Sequence, residues 1–120
     1  MALEDAEWAE RGTGCLRRGT AARVVNGTGH YWRAMNHPNL GCTNEPGDCG
    51  CSHAEPRALL AAGPQPEKLV LIITLAPCTA CANLIVEHGG ISEVLYLRTY
   101  GRDTRGLQIL DAAGIWREQL

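Results

Sequence analysis

The pattern of apolar and polar positions predicts helices and strands along most of the chain. A short helix is expected within the first fourteen residues, followed by two antiparallel strands near residues 21–25 and 29–35. The strands flank Asn26-Gly27, a dipeptide that favours a tight hairpin turn. Residues 36–52 contain two prolines and three glycines, a composition that predicts a loop.

The second half of the chain is predicted to begin with a helix from about His53. Pro56 is compatible with its first turn, where a missing N–H removes no intrahelical hydrogen bond, and Gly63-Pro64 ends it. A uniformly apolar segment follows, KLVLIITLA, which is typical of a central strand covered on both faces. Three further segments predict a helix, a strand and a helix: CTACANLIVEHGG, SEVLYLRTY and GLQILDAAG.

This order of elements predicts one α/β domain that spans residues 1–120. Strand–helix–strand units imply parallel neighbours, so we expect a three-layer α/β/α sandwich with a mixed sheet. The N-terminal hairpin supplies its antiparallel part, and the later strands are parallel. Little chain remains after Ile115, so we do not predict a fifth strand.

Composition narrows the class of protein. About 45% of the residues are apolar, which favours a globular fold, and the net charge of −2 argues against a broad nucleic-acid interface. The N-terminus is acidic, whereas a signal peptide begins with a basic region that an apolar region follows. The longest apolar run is too short to span a bilayer. We therefore expect a cytoplasmic protein with no membrane contact, in which six cysteines favour metal binding or catalysis over disulfides.

Two motifs, each at the start of a predicted helix, contain the residues of a metal site. His53 opens one helix, and Cys78 and Cys81 lie three residues apart in the motif PCTAC. One nitrogen and two thiolates form a ligand set that zinc accepts, with a fourth position left to water. Glu55 lies two residues after His53, close enough to reach that water without ligating the metal.

The two motifs together match a known signature. The pattern H-x-E followed by P-C-x-x-C is that of zinc-dependent nucleobase deaminases. Here it reads HAE and PCTAC, with 24 residues between His53 and Cys78. A closed zinc site with a fourth protein ligand is the alternative, but such a site gives Glu55 no role.

The chain resembles the deoxycytidylate (dCMP) deaminase family of the cytidine deaminase superfamily. The likeness extends from about Cys15 to Ile115 and includes CLRRGTAARVV, AMNHPNLGC, HAEPRALL and the region from ITLAPCTAC to LQILDAAGI. This chain departs from the family in having Pro56 after HAE and only sixteen residues between Asn36 and His53. Regulated members of the family use that segment to form nucleotide-triphosphate sites. Because the segment is short here, whether this chain is under allosteric control stays an open question.

The resemblance implies a hydrolytic mechanism and a set of substrate contacts. Water activated by the zinc attacks C4 of cytosine, and Glu55 moves its proton to N3 and then to the leaving amine. The Ala54 N–H is implied to meet the pyrimidine O2, and the carbonyl near Ala76 to accept from the 4-amino group. Asn36 resembles the residue that hydrogen-bonds the sugar hydroxyl, although an asparagine beside a proline also caps loops. Tyr100, at the carboxyl end of the last predicted strand, is a further candidate contact.

Several other residues have more than one interpretation. The four remaining cysteines could form a second, structural Cys₄ zinc site or stay separate thiols. The resemblance implies that Cys15 and Cys42 are two of its ligands, and the other two are Cys49 and Cys51.

His88 is interpreted as a helix-end or packed histidine. Lone arginines are usually solvated, but five are candidate phosphate contacts: Arg17, Arg18, Arg33, Arg98 and Arg105.

The leading hypothesis is therefore a zinc-dependent enzyme that converts dCMP to dUMP and ammonia. Alternatives are deamination of cytidine, of a 5-modified dCMP or of tRNA adenosine, and a zinc-binding module without catalysis. The tRNA deaminases usually have EPC before the cysteine pair, where this chain has APC. By resemblance to the superfamily, we expect a homo-oligomer whose partner is a small nucleotide.

Overall fold

The structure, a computed structural model, describes residues 2–12, 19–37, 53–99 and 101–120. Helices and strands alternate in these ranges much as the sequence predicts. None of the helices in them has both the length and the apolar character needed to span a bilayer. The elements are α1 Ala2–Gly12, β1 Ala21–Val25, β2 Tyr31–Met35, α2 Ala54–Ala62, β3 Leu69–Leu75, α3 Thr79–His88, β4 Ile91–Arg98, α4 Arg105–Ala112 and β5 Trp116–Gln119.

The strands form one mixed sheet in the order β2-β1-β3-β4-β5. Strand β1 is antiparallel to both β2 and β3, whereas β3, β4 and β5 are parallel. Strand β3 lies in the middle, and all but one of its seven residues are buried, as its almost entirely apolar sequence predicts. The predicted fold class, with an antiparallel N-terminal hairpin and parallel later strands, is confirmed.

The two faces of the sheet are covered by different helices. Ala22, Val24, Leu71 and Ile73 belong to one apolar cluster with residues of α2, α3 and α4. Helices α3 and α4 share that face because both connect neighbouring parallel strands in the same direction along the sheet, and such crossovers are right-handed. Arg23 alternates with Ala22 and Val24 and bonds to α1, which covers the opposite face. Three layers result.

The structure contains a fifth strand that we did not predict. Trp116–Gln119 pairs in parallel with β4, and the backbone N–H of Leu120 extends the pairing to the carbonyl of Tyr96, 2.8 Å away. The strand has four residues, three of which are exposed, so it lacks the apolar alternation of a half-buried strand. Its hydrogen bonds to β4 create the strand, and the local sequence does not.

The hairpin connection is longer than the tight turn expected at Asn26-Gly27, and the second strand begins at Tyr31 rather than near residue 29. Val25 pairs with Tyr31, so five residues connect the strands. The Asn26 side chain organises them, since its Oδ1 accepts hydrogen bonds from the N–H groups of Thr28 and His30 at 3.1 and 2.9 Å. The left-handed residue is Gly29, with φ of 87°.

A buried ion pair joins α1 to the sheet. Asp5 is 1% exposed, and its carboxylate accepts two hydrogen bonds from the Arg23 guanidinium, at 2.6 and 3.0 Å. These hydrogen bonds raise the pKa of Arg23. The guanidinium also lies 4.1 Å from the ring centroid of Tyr31. A bidentate pair of this kind fixes the position of α1 against β1.

Replacing Asp5 with alanine is expected to destabilise the fold strongly. The change leaves the Arg23 charge buried without its carboxylate, and breaking a buried pair in this way costs about 3–5 kcal/mol. The matched control is Asp111→Ala, which breaks the exposed pair with Arg117 and is expected to leave stability unchanged. Urea unfolding followed by circular dichroism measures both, and equal midpoints for the two variants would contradict the role given to Asp5.

Candidate metal centre

The candidate ligands lie where two helices begin. His53 is the N-cap of α2 and Cys78 is the N-cap of α3, both with extended backbone geometry. Pro56 occupies the first turn of α2, as predicted, and Pro77 precedes Cys78 directly after β3. Because α2 packs beside α3 on one face of the sheet, the two N-termini meet at one place.

The side chains of His53, Cys78 and Cys81 converge there. The Nδ1 atom of His53 lies 3.1 Å from Cys81 Sγ and 3.7 Å from Cys78 Sγ. All three ligand atoms lie within 4.8 Å of one another. The convergence predicted from the two motifs is therefore present. Cys81 is buried, whereas His53 is exposed and Cys78 is half-buried, so the site opens towards solvent on one side.

This donor set fits zinc. Imidazole and thiolate are preferred zinc ligands, and bonds of about 2.0–2.3 Å to one central ion place such donors about 3–4 Å apart. In the described ranges, no fourth histidine, cysteine or carboxylate joins the cluster. Three protein ligands and an open position are the pattern of catalytic rather than structural zinc.

The start of α3 favours the thiolate form of Cys78. Its Sγ accepts a hydrogen bond from the backbone N–H of Cys81 at 3.4 Å, as an N-cap side chain does. Hydrogen bonding from the Cys81 thiol and from His53 lowers the pKa of Cys78. Metal ligation requires a deprotonated sulfur, so this environment prepares Cys78 as a ligand.

Glu55 lies in the first turn of α2, beside the cluster and outside it. The residue is 7% exposed, and burial raises the pKa of its carboxyl group to about 7. The proximity of Cys78 contributes to this raised pKa, while a backbone hydrogen bond, the proximity of His53 and hydrogen bonding to Cys81 act in the opposite direction. A buried carboxyl group with a strongly perturbed pKa in contact with metal ligands is typical of a functional site.

The predicted substrate contacts are only partly described. Ala54 and Ala76 are buried, and Ala76 lies between β3 and Cys78, where its N–H bonds to the Arg98 carbonyl at 2.7 Å. Asn36 is buried, and its Oδ1 accepts a hydrogen bond from the Thr20 N–H at 3.0 Å. Asn36 therefore makes the side-chain-to-backbone hydrogen bond of a loop-capping asparagine, one of its two interpretations. Contacts of these residues with a substrate stay predictions.

Several other sequence candidates lie elsewhere. The guanidinium of Arg33 stacks on Trp8 of α1, 4.0 Å from its ring centroid, so it lies on the opposite face of the sheet from α2 and α3. Arg105 forms an exposed pair with Asp103. His88 contacts the carbonyl of Gly63 at 3.2 Å, which confirms its interpretation as a packed helix-end histidine.

Seven of the residues named from sequence lie outside the described ranges. The second, structural zinc site stays a prediction for this reason, as does the contact of Tyr100. The seven residues are Cys15, Arg17, Arg18, Cys42, Cys49, Cys51 and Tyr100.

Gly106 lies beside the site, and no sequence motif includes it. It lies in the first turn of α4, where its Cα faces the backbone of Pro77 and Cys78. Glycine is a poor helix former, so a glycine in the first turn of a predicted helix was the available signal for a close backbone approach.

Comparison with known proteins identifies the family. The profile described as "Cytidine and deoxycytidylate deaminase zinc-binding region" matches residues 1–98, which include all three candidate ligands and Glu55. The chain belongs to this family of zinc-binding deaminases, and zinc is the cofactor that the family and the donor set indicate.

Individual relatives narrow the comparison within the family. A deoxycytidylate deaminase of Schizosaccharomyces pombe is 29% identical over 98% of this chain, and one of Saccharomyces cerevisiae is 41% identical over 56% of it. The matches cover 42% and 22% of these longer proteins. The dCMP deaminase of cyanophage S-TIM5, solved in complex with dCMP and dUMP, is similar with a TM-score of 0.78 and 26% identity. That match covers 98% of this chain and 93% of the phage chain.

Removal of one ligand is expected to abolish tight zinc binding. Loss of an outer-shell partner alone costs about 10–100-fold in metal affinity, so Cys78→Ala should weaken binding by more than about 100-fold. His53→Ala removes another ligand and should weaken zinc binding in the same way. Its matched control is His30→Ala, which changes an exposed histidine of the hairpin turn. Competition with a chromophoric chelator measures affinity, and elemental analysis of the unaltered protein counts the ions.

The ion count has two informative outcomes. Two zinc ions per chain, one of which survives Cys78→Ala, would support the Cys₄ hypothesis. One ion per chain would remove that hypothesis and leave the His53 cluster. Unchanged affinity in both Cys78→Ala and His53→Ala would contradict the ligand assignment.

Proposed function

We propose that this chain catalyses the hydrolytic deamination of dCMP to dUMP, with His53, Cys78 and Cys81 as zinc ligands and Glu55 as the proton carrier. The observation that carries the proposal is the position of Glu55. Its carboxyl group is buried, hydrogen-bonds with Cys81 and lies near His53 and Cys78, and it does not belong to the ligand set. A purely structural metal site has no use for such a group.

The chain's own residues account for the proton transfers. When bound, zinc supplies Lewis acidity that makes water a competent nucleophile near neutral pH. Glu55 accepts the proton that this water loses as its oxygen attacks C4 of the base. Glu55 then donates this proton to N3. It next carries the second proton of the attacking water to the departing amine, so water and dCMP give dUMP and ammonia. General acid–base transfer of this kind contributes about 10²–10⁴-fold to a rate.

The surroundings of Glu55 suit this role. It lies in the first turn of α2, where unpaired backbone N–H groups and the helix dipole stabilise its carboxylate form. Burial opposes that effect and favours the neutral form. The Ala54 N–H lies in the same turn, and we propose that it holds the pyrimidine O2, with the Ala76 carbonyl accepting from the 4-amino group. Ala54 follows His53 directly in the chain, and Ala76 precedes Cys78 by two residues.

The choice of a deoxycytidine monophosphate rests on relatives. Both curated relatives are deoxycytidylate deaminases, and the cyanophage enzyme was solved with dCMP and dUMP. The similarity to the phage enzyme extends over nearly all of both chains, so this chain contains a counterpart of most of that enzyme. We propose Asn36 and Tyr100 as further contacts to the nucleotide.

We also propose that the protein is a cytoplasmic homo-oligomer. The expectation of an oligomer rests on the superfamily resemblance, and that of a cytoplasmic location on the six cysteines, which favour metal binding in a reducing compartment. Light scattering on the zinc-loaded protein measures the subunit number.

A substrate panel is expected to separate dCMP from its competitors. Zinc-loaded protein is incubated with dCMP, 5-methyl-dCMP, cytidine, dCTP and an RNA hairpin that carries adenosine in its loop. Ammonia release and the shift in nucleobase absorbance follow the reaction. We expect turnover of dCMP with kcat/KM at least 100-fold above that for cytidine or the hairpin. A preference for cytidine over dCMP would overturn the nucleotide assignment, and no turnover of any substrate would indicate a zinc-binding module.

Substitution of Glu55 with glutamine is expected to separate metal binding from catalysis. Glutamine has nearly the same shape but accepts no proton, so kcat should fall by about 10²–10⁴-fold while the zinc content stays unchanged. Glu87→Gln, at an exposed position on α3, is the matched control and should keep full activity. Near-normal deamination by the Glu55→Gln protein would exclude the proposed proton transfers.

A further inference from the structure

Helix α4 makes an unusually close contact with the backbone that carries Cys78. A Cβ atom built on Gly106 would lie 2.0 Å from the Pro77 carbonyl oxygen, 2.9 Å from the Pro77 carbonyl carbon and 3.1 Å from the Cys78 oxygen. The contacted atoms all belong to the backbone, so no side-chain rotation can relieve the overlap. Gly106 is buried, and α4 packs along α3 beyond this point.

The reason for glycine at this position is space and not backbone conformation. Gly106 lies in regular α-helix, and its φ is not among the positive values found for other glycines of the described chain. Alanine would be the better helix former there. The benefit of glycine is that the first turn of α4 can touch the peptide that joins β3 to α3.

That peptide holds a proposed zinc ligand. Pro77 and Cys78 stand between the end of β3 and the start of α3, and Ala76 is tied to β4 through its bond to Arg98. An added Cβ would lie 2.0 Å from the Pro77 oxygen, whereas real Cβ atoms approach no closer than about 3.0 Å. Helix α4 and the Pro77–Cys78 backbone would therefore have to move apart by about 1 Å. Metal–ligand distances lie within about 0.2 Å of their usual values, so even a fraction of this shift at Cys78 would disturb the site.

We infer that Gly106 is a positioning residue for the metal centre: its bare Cα lets α4 brace the Pro77–Cys78 backbone and so sets the position of the Cys78 sulfur. The inference rests on the proposed zinc ligation by Cys78. It assigns part of the site's geometry to a helix that contributes no ligand. Displacement of α4 by a single methyl group should therefore change the metal site even in a folded protein.

The test compares Gly106→Ala with Leu110→Ala. Leu110 is fully buried one turn further along α4, so its truncation weakens the packing of the same helix without adding an atom near Pro77. Both variants are measured below their unfolding temperatures for zinc affinity, by chelator competition, and for the absorption spectrum of the Co²⁺-substituted protein. We expect Gly106→Ala to lose 10- to 100-fold in zinc affinity with altered thiolate and d–d bands, and Leu110→Ala to keep both near the unaltered values.

Two outcomes would overturn the inference. One is an unchanged affinity and cobalt spectrum in Gly106→Ala. The other is an equal loss in Leu110→Ala, which would show that only the stability of α4 matters. Comparison with Cys78→Ala separates the two proposals. If Cys78→Ala keeps its affinity, the zinc assignment itself fails; if only Cys78→Ala loses affinity, the bracing role of Gly106 fails.

A measurement on the unaltered protein covers the case in which Gly106→Ala does not fold. Coupling between two sites is reciprocal, so zinc binding must stabilise the first turn of α4 if that turn positions the metal. Amide hydrogen exchange at Gln108, whose N–H donates to the Thr104 carbonyl at 3.0 Å, should slow at least 10-fold on zinc addition, relative to Val24 in β1 as the internal reference. Equal changes at α4 and at the reference, or no change at α4, would contradict the inference.

Discussion

The structure depends on the meeting of two helix N-termini at the carboxyl end of β3 in the mixed sheet. Three residues separate the end of β3 from the start of α3, and α2 starts beside α3 because both pack on the same face. Helix N-termini present unpaired N–H groups and partial positive charge, which favours thiolates and a carboxylate. His53 and Cys78 are the N-caps themselves, so the same backbone geometry that begins the helices also places the ligands.

The two buried carboxyl groups of the described chain show how the fold separates stability from chemistry. Asp5, under α1, is paired bidentately with Arg23, and this pair fastens a helix to the sheet. Glu55, on the other side of the sheet, is buried among metal-site residues, and its pKa is raised by that burial. A paired charge contributes to structure, whereas a carboxyl group whose proton affinity has been shifted is suited to proton transfer.

Much of this architecture could be predicted because it follows from local patterns. The apolar run of β3, the glycine and proline signals around α2 and the spacing of Cys78 and Cys81 each indicated an element or a site that the structure contains. The errors occurred where the local pattern was weak. Strand β5 is short and mostly exposed, and the hairpin connection is longer than the tight turn expected there because the Asn26 side chain organises a five-residue loop.

By itself, the sequence determined the layered α/β fold, the ligand triad and the candidate acid–base residue, because spacing, helix signals and donor chemistry are all local properties. Only the tertiary structure decided which distant groups touch. In the tertiary structure, the Arg33 guanidinium packs on Trp8, away from the metal centre. The Asn36 side chain bonds to the Thr20 backbone, and Gly106 contacts the backbone of Pro77. Such contacts depend on how the packed layers meet, and packing joins atoms whose separation along the chain carries no periodic signal.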